Sequence, residues 1–423
     1  MEAIYHYLWK HQLCGRELTT TDGNVITVKD PGRYNIDAGP DFFNAKIHDG
    51  EREWCGNIEI HVKASDWYRH GHQNDPAYDN IILHVVAVND MTIKRKDESE
   101  IPQVCLTATE QFIHMYVGLT ETLGKPSCLA ELSRLGRLQL TDWVETLGIE
   151  RIQQKARRFE DLVRSLKGDM YQGLYILLAR GLGFGLNSVP FEELAKSVSL
   201  NYLMRHRDNI HQLEALLFGQ AGMLDSQQYG GDEYYFSLCR EYQFLSKKYG
   251  LNPIRPGLWK YSRTRPQNFP HRRIAILASA LSDGLKLQEK LLAANGDTDR
   301  LREVFSFPAS DYWKTHHNFN HAGEGAVTLS RGSLDLLLIN VAAPFYYGYG
   351  AMTGDYDTAE KGVDLLNELN PEKNSIVMQW HNAGLKASNA FQSQALIQLR
   401  KEYCDRDRCL ECRIGLQILK KCQ

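Results

Sequence analysis

The chain has 423 residues, 43% apolar and 24% charged, which excludes a disordered or fibrous protein and exceeds one ordinary core. A formal net charge of −3 provides no global attraction for nucleic acid, so any such binding must use a local patch. Nine cysteines, scattered except near the C-terminus, favour a reducing cytoplasm over a disulfide framework.

The first residues, Met1-Glu-Ala-Ile-Tyr-His-Tyr-Leu-Trp-Lys10, lack the basic start and long apolar run of a signal peptide, so a cytoplasmic location is expected. Ile4, Tyr5, Leu8 and Trp9 recur at helical spacing and predict a helix over residues 2–13. Residues 24–29 are rich in β-branched side chains and follow the turn signal Asp22-Gly23, which predicts a strand. Phe42 to His48 and Asn57 to Ala64 read as two strands joined around Asp49-Gly50-Glu51. Asn80 to Val88 is nearly continuously apolar, the pattern of a central strand buried on both faces, and Pro102 to Thr107 predicts one more. The order is helix, three strands, a short helical or looped segment, then strand: an α/β domain over residues 1–110.

Beyond it the strand signal fades. Ile149, Ile152, Ala156, Phe159 and Val163 mark an amphipathic helix with a basic face of Arg151, Lys155, Arg157 and Arg158. Helices are also predicted over residues 171–182, 191–198, 211–218, 234–249, 272–294 and 355–369. The most apolar stretch, Leu334 to Met352, is broken by Asp335, Asn340 and Pro344 and does not read as a membrane span. The fold class expected is α+β: the N-terminal domain, a large mostly α-helical domain over 111–400, and a cysteine-containing tail over 401–423.

One place joins residue type, spacing and local structure into a chemistry. Asp37-Ala-Gly-Pro40-Asp41 opens one strand, and Glu59-Ile-His61-Val-Lys63 forms the middle of the next. Alternation along a strand puts Glu59, His61 and Lys63 on one face and Ile58, Ile60 and Val62 on the other. Asp41 and Glu59 can converge on Mg²⁺ or Mn²⁺ as hard oxygen ligands, with His61 or Lys63 stabilising a phosphate. Exposed sheet faces also carry charges without function. Downstream, His70, His72, Asp75 and His84 follow closely. His70 or His72 could join the metal or act as a general base; alternatively Asp66 caps a helix whose solvated end carries both histidines. His84 reads as a buried, hydrogen-bonded histidine of the central strand.

Pro40-Asp41, a strand, a hairpin and Glu59-x-His61 resemble the PD-(D/E)-x-K nuclease superfamily, whose core runs helix, three strands, helix, strand. The resemblance covers about residues 1–90. It implies a restriction-endonuclease-like core in which Asp41 and Glu59 are metal ligands and His61 stands where the usual lysine would be. The chain as a whole also resembles an uncharacterised bacterial family known as a domain of unknown function. Gly56-Asn-Ile-Glu-Ile-His61, Pro266-Gln-Asn-Phe-Pro270 and Cys409-Leu-Glu-Cys412 carry that likeness, which implies no activity.

Cys404-x4-Cys409-x2-Cys412, with Cys422 near the end, contains a knuckle able to hold Zn²⁺ or an iron–sulfur cluster. Cys128 or His381 could complete the set instead of Cys422, and ordinary reduced thiols are the alternative. Some nucleases of the resembled superfamily staple their ends with such clusters. Arg263, Arg265, Arg272 and Arg273 lie in a basic run interleaved with aromatics, a pattern that suits a nucleic-acid backbone or simply a solvated face. No G-x4-G-K-[ST] loop for a nucleotide is present. The leading expectation is a metal-dependent nuclease. The alternatives are a catalytically inactive nucleic-acid-binding or scaffold protein and a zinc-dependent hydrolase of a small substrate centred on His61, His70, His72 and Asp75.

Overall fold

A computed structural model describes residues 1–121, 126–224, 231–261, 268–323 and 328–423. The chain is a mixed α+β protein with an N-terminal sheet followed by a helical region. It divides into two compact units, Met1–Leu140 with Arg400–Gln423, and Thr141–Leu399.

The first unit is built on a seven-stranded sheet: β1 (Glu17–Thr19), β2 (Val25–Asp30), β3 (Arg33–Tyr34), β4 (Phe42–His48), β5 (Glu53–Lys63), β6 (Ile81–Val88) and β7 (Gln103–Cys105). Its order is β1-β2-β4-β5-β6-β7, with β3 paired to β4. The strands from β1 to β5 pair antiparallel, whereas β5, β6 and β7 run parallel. Parallel neighbours need a crossover. Ala64 to Asn80 supplies one, through α2 (Asp66–Arg69) and two further single turns.

Local chemistry explains the β4–β5 hairpin. Gly50 takes φ +98°, and the Asp49 carboxylate accepts the backbone N–H of Glu51 at 2.9 Å and of Arg52 at 2.7 Å. Asn44, at φ +57°, interrupts the register between Phe42 and Ala45. One sheet face buries Ile58, Ile60, Leu83 and Val85 against α1 (Glu2–Lys10), α3 (Glu110–Thr120) and the terminal helix Arg413–Cys422. Beyond the other face lies a smaller cluster of Trp67, Tyr78 and Val86.

The second unit is helical. Most of Arg137–Ser165 belongs to it, and Ile152, Phe159 and Val163 of that helix join the main core. The expected basic face is largely engaged: Arg151 bonds Gln394, Lys155 bonds Asn340, and Arg158 pairs with Glu192. The single helix expected over 272–294 is two, Pro270–Ser282 and Leu287–Ala294. Gly284 (φ +81°) and Leu285 (φ +41°) lie in the left-handed region, which ends a right-handed helix. A small ribbon, His316–Asn318 with His321–Ala322, lies within the region expected to be mostly helical. Among the described residues, no helix is long and apolar enough to cross a membrane.

Candidate metal centre

Glu59 and His61 project from the face of β5 opposite Ile58 and Ile60, as the alternation predicts, and both are buried. In the parallel pairing, Glu59 stands beside His84 of β6. The crossover folds back over this face because Trp67, 1% exposed, anchors it. Asp66 ties its start down by accepting the Lys63 N–H at 3.2 Å and pairing with Arg69 at 2.9 Å. It lies one residue inside the helix; Ser65 holds the N-cap position, but its hydroxyl donates to Asp90 at 2.7 Å and makes no capping bond. Gly71, at φ +76°, then turns the chain sharply between His70 and His72, bringing both rings over the sheet.

The result is an imidazole cluster. His61 Nδ1 is 2.8 Å from His84 Nε2, and His61 Nε2 is 3.1 Å from His70 Nδ1. Glu59 Oε1 lies 3.5 Å from His61 Nε2 and 3.3 Å from His72 Nε2. His61, His70 and His72 each place a ring nitrogen within 4.8 Å of the others, the only such trio of metal-binding donors among the described residues. His72 also stacks on Tyr78 with ring centroids 3.9 Å apart.

Asp41 meets this group from the mouth of β4. Its Oδ2 accepts the Ile60 N–H at 2.9 Å, and its own N–H donates to Glu59 Oε2 at 3.2 Å. His6 Nε2 lies 3.3 Å from Asp41 Oδ2. Sequence reasoning overlooked His6, because a lone histidine on an apolar helix face carries no motif.

Burial dominates the electrostatics. It pushes the Glu59 carboxyl up to about 7, against the lowering effect of His72. It pushes His61 down to about 2 and His84 down to about 3, so both imidazoles are neutral, the form that binds metals. His6 is shifted upward: burial lowers it, but the hydrogen bond and charge of Asp41 outweigh that. For His61 Nε2 to present a lone pair, Nδ1 must donate to His84, a tautomer inferred from that role.

The other candidates fall elsewhere. Lys63 is exposed at the end of β5, unlike its face-mates Glu59 and His61. Asp75 is exposed and caps the next turn by accepting the Ala77 N–H at 2.9 Å, so it is not part of the imidazole group. Arg263 and Arg265 lie outside the described residues. Arg272 and Arg273 are only 3% and 4% exposed, so neither guanidinium forms a surface patch for phosphates. Arg273 instead lies over the Phe184 ring at 3.9 Å and donates to Asn268 at 2.6 Å. Cys404, Cys409, Cys412 and Cys422 are all buried in the first unit, as is Cys128.

A family model described as "Protein of unknown function (DUF2851)" matches residues 2–375. None of the curated proteins and none of the solved structures compared with the chain matches it.

Proposed function

Since the chain belongs to the DUF2851 family, whose description assigns no activity, we propose from the site itself that it is a metal-dependent hydrolase of nucleic-acid phosphodiesters. The observation that carries this is the convergence of three imidazoles and Glu59 at one point of a buried sheet face. The donor set fits a divalent ion: burial keeps the His61 imidazole neutral, the Glu59 carboxylate is adjacent, and the buried His72 Nε2 faces Glu59 Oε1 at 3.3 Å. Three nitrogens beside one carboxylate favour Mn²⁺ or Zn²⁺ over Mg²⁺.

The phosphodiester assignment rests on the PD-(D/E)-x-K-like succession. A helix precedes an antiparallel run, a crossover follows, and a parallel strand completes the sheet. Asp41 opens β4, and Glu59-x-His61 lies in β5. A metal bound there supplies a Lewis acid and a water of lowered pKa. Glu59, His61, His70 and His72 are the residues that would hold it, and Glu59 gives up its proton on loading. His84 orients His61 through the Nδ1–Nε2 contact. Asp41, fixed by the Ile60 N–H, holds a proton on His6 Nε2 at the edge of the site. A second reading, a zinc hydrolase of a small ester, is favoured by the preponderance of imidazole over carboxylate.

The test is cleavage of single- and double-stranded DNA and RNA with Mn²⁺, Mg²⁺ or Zn²⁺, beside a small chromogenic phosphodiester. Glu59→Gln and His70→Ala, each checked for folding, should lower the rate at least about a hundredfold. Cleavage at the natural rate in both variants would sink the nuclease reading. Turnover of the small ester alone would favour the second.

A further inference from the structure

Outside the histidine site, Cys128, Cys404, Cys409 and Cys412 come together from distant parts of the sequence. Cys128 lies in the turn Ser127–Ala130, Cys404 opens Cys404–Arg406, Cys409 opens Cys409–Glu411, and Cys412 caps the helix Arg413–Cys422. The turns bearing Cys128 and Cys409 both pack on this helix and on α3. Gly415 permits the close approach, since a Cβ there would collide with the Cys409 carbonyl oxygen. All four are buried, none more than 7% exposed.

Their thiols lie within electrostatic reach of one another. Burial pushes Cys128 up to about 12, aided by Cys412 and Cys409. Burial also raises Cys404, with Cys128, Cys412 and Cys409 adding to it, and raises Cys409 to about 11, with Cys412 adding. Every pair among the four therefore interacts. Cys422 does not belong: burial raises it, and its charged neighbours are Glu131 and Arg134. Beside Cys412 sits Tyr7, whose buried hydroxyl has no hydrogen-bond partner and is raised by burial, by Tyr116 and by Cys412. Four cysteines gathered in one buried spot, beside a buried hydroxyl without a hydrogen-bond partner, form the donor set of a thiolate-held metal centre.

We propose that Cys128, Cys404, Cys409 and Cys412 hold an iron–sulfur cluster that staples the last segment of the first unit to the residues after α3. Spacing selects the class of metal. A single zinc ion, with bonds of about 2.3 Å, draws its thiolates to within about 4 Å of one another. Among the described residues, no three of these sulfurs lie within 4.8 Å of one another. A cluster spaces its cysteines more widely, because its iron atoms share them out and no iron takes more than two. Loading releases the four thiol protons. The donor set replaces the expected Cys422 with Cys128.

The full chain, purified without oxygen, is assayed for iron, acid-labile sulfide and zinc and for visible absorbance. Iron and sulfide in equal amounts with a broad visible band are expected. Cys128→Ser and Cys412→Ser should lose them, and Cys422→Ser should keep them, with folding of each followed by circular dichroism. Protein that contains no iron, even after incubation with ferric and ferrous iron together with sulfide, overturns the proposal. So does zinc in place of iron, or iron lost from Cys422→Ser as completely as from Cys128→Ser.

Discussion

A carboxyl or imidazole that leaves water keeps its charge only where partners replace the water, and this chain buries several such groups. Glu59 and His61 are joined by Glu214 in the second unit, which accepts hydrogen bonds from Ser310 at 2.6 Å and from Tyr234. Burial pushes Glu214 up to about 7, although both hydroxyls oppose the shift. Its folded pKa is thus raised above the ordinary value. The stability it contributes is complete below about pH 4.5 and is lost as pH rises through about 7. Glu214→Gln removes that dependence. Between about pH 5 and about pH 8 the variant should gain about 2–3 kcal/mol on the natural protein, read by urea unfolding at each pH. Parallel stability curves would show that the carboxyl is ionised in the fold.

At the scale of elements, the turn between His70 and His72 decides whether the imidazoles meet. Gly71 occupies the left-handed region at φ +76°, with open space where a Cβ would stand. Gly71→Ala therefore tests conformation and not crowding. It should cost roughly 1 kcal/mol in stability and weaken Zn²⁺ or Mn²⁺ binding about tenfold by calorimetry. Unchanged affinity would mean that the turn does not set the rings. The elements themselves were legible to differing degrees. β4 coincides with the expected Phe42 to His48, because alternating burial and a marked turn both show in the residues. β5 begins at Glu53, earlier than expected, since Trp54 and Cys55 lie on an exposed stretch that carries no periodic signal. β1 and β3 are too short to leave a pattern, and their pairing partners define them.

The whole molecule places its ends in one unit. Thr109 donates to the Cys422 carbonyl at 2.5 Å, and the Gln423 amide donates to the Thr107 carbonyl at 2.6 Å. Cys409, Leu419 and Cys422 share a core with Ile60, Val85 and Phe112. Ending the chain at Leu399 should therefore unfold the sheet unit while leaving the helices of Thr141–Leu399. Hydrogen exchange would report it as lost protection in β4 and β6 with protection retained over Met170–Leu182. Retained protection in both strands would make the terminal segment dispensable.

The Asp41 and Glu59-x-His61 strands, the central strand over Ile81–Val88 and the helical character after residue 110 were all readable from the chain, because alternation, apolar runs and turn residues act over short range. The membership of each site was legible only in part: Glu59, His61, His70 and His72 were named from the sequence, but His6 was not. His6 reaches Asp41 from α1, His72 reaches Glu59 through the crossover, His84 stands beside Glu59 through the parallel pairing, and the turns bearing Cys128 and Cys409 meet through packing on the terminal helix. Arg272 and Arg273, basic to a reader of the sequence, are buried by the same core. Local patterning specifies elements, whereas the partners of a polar side chain are chosen by which distant surfaces the core brings against it.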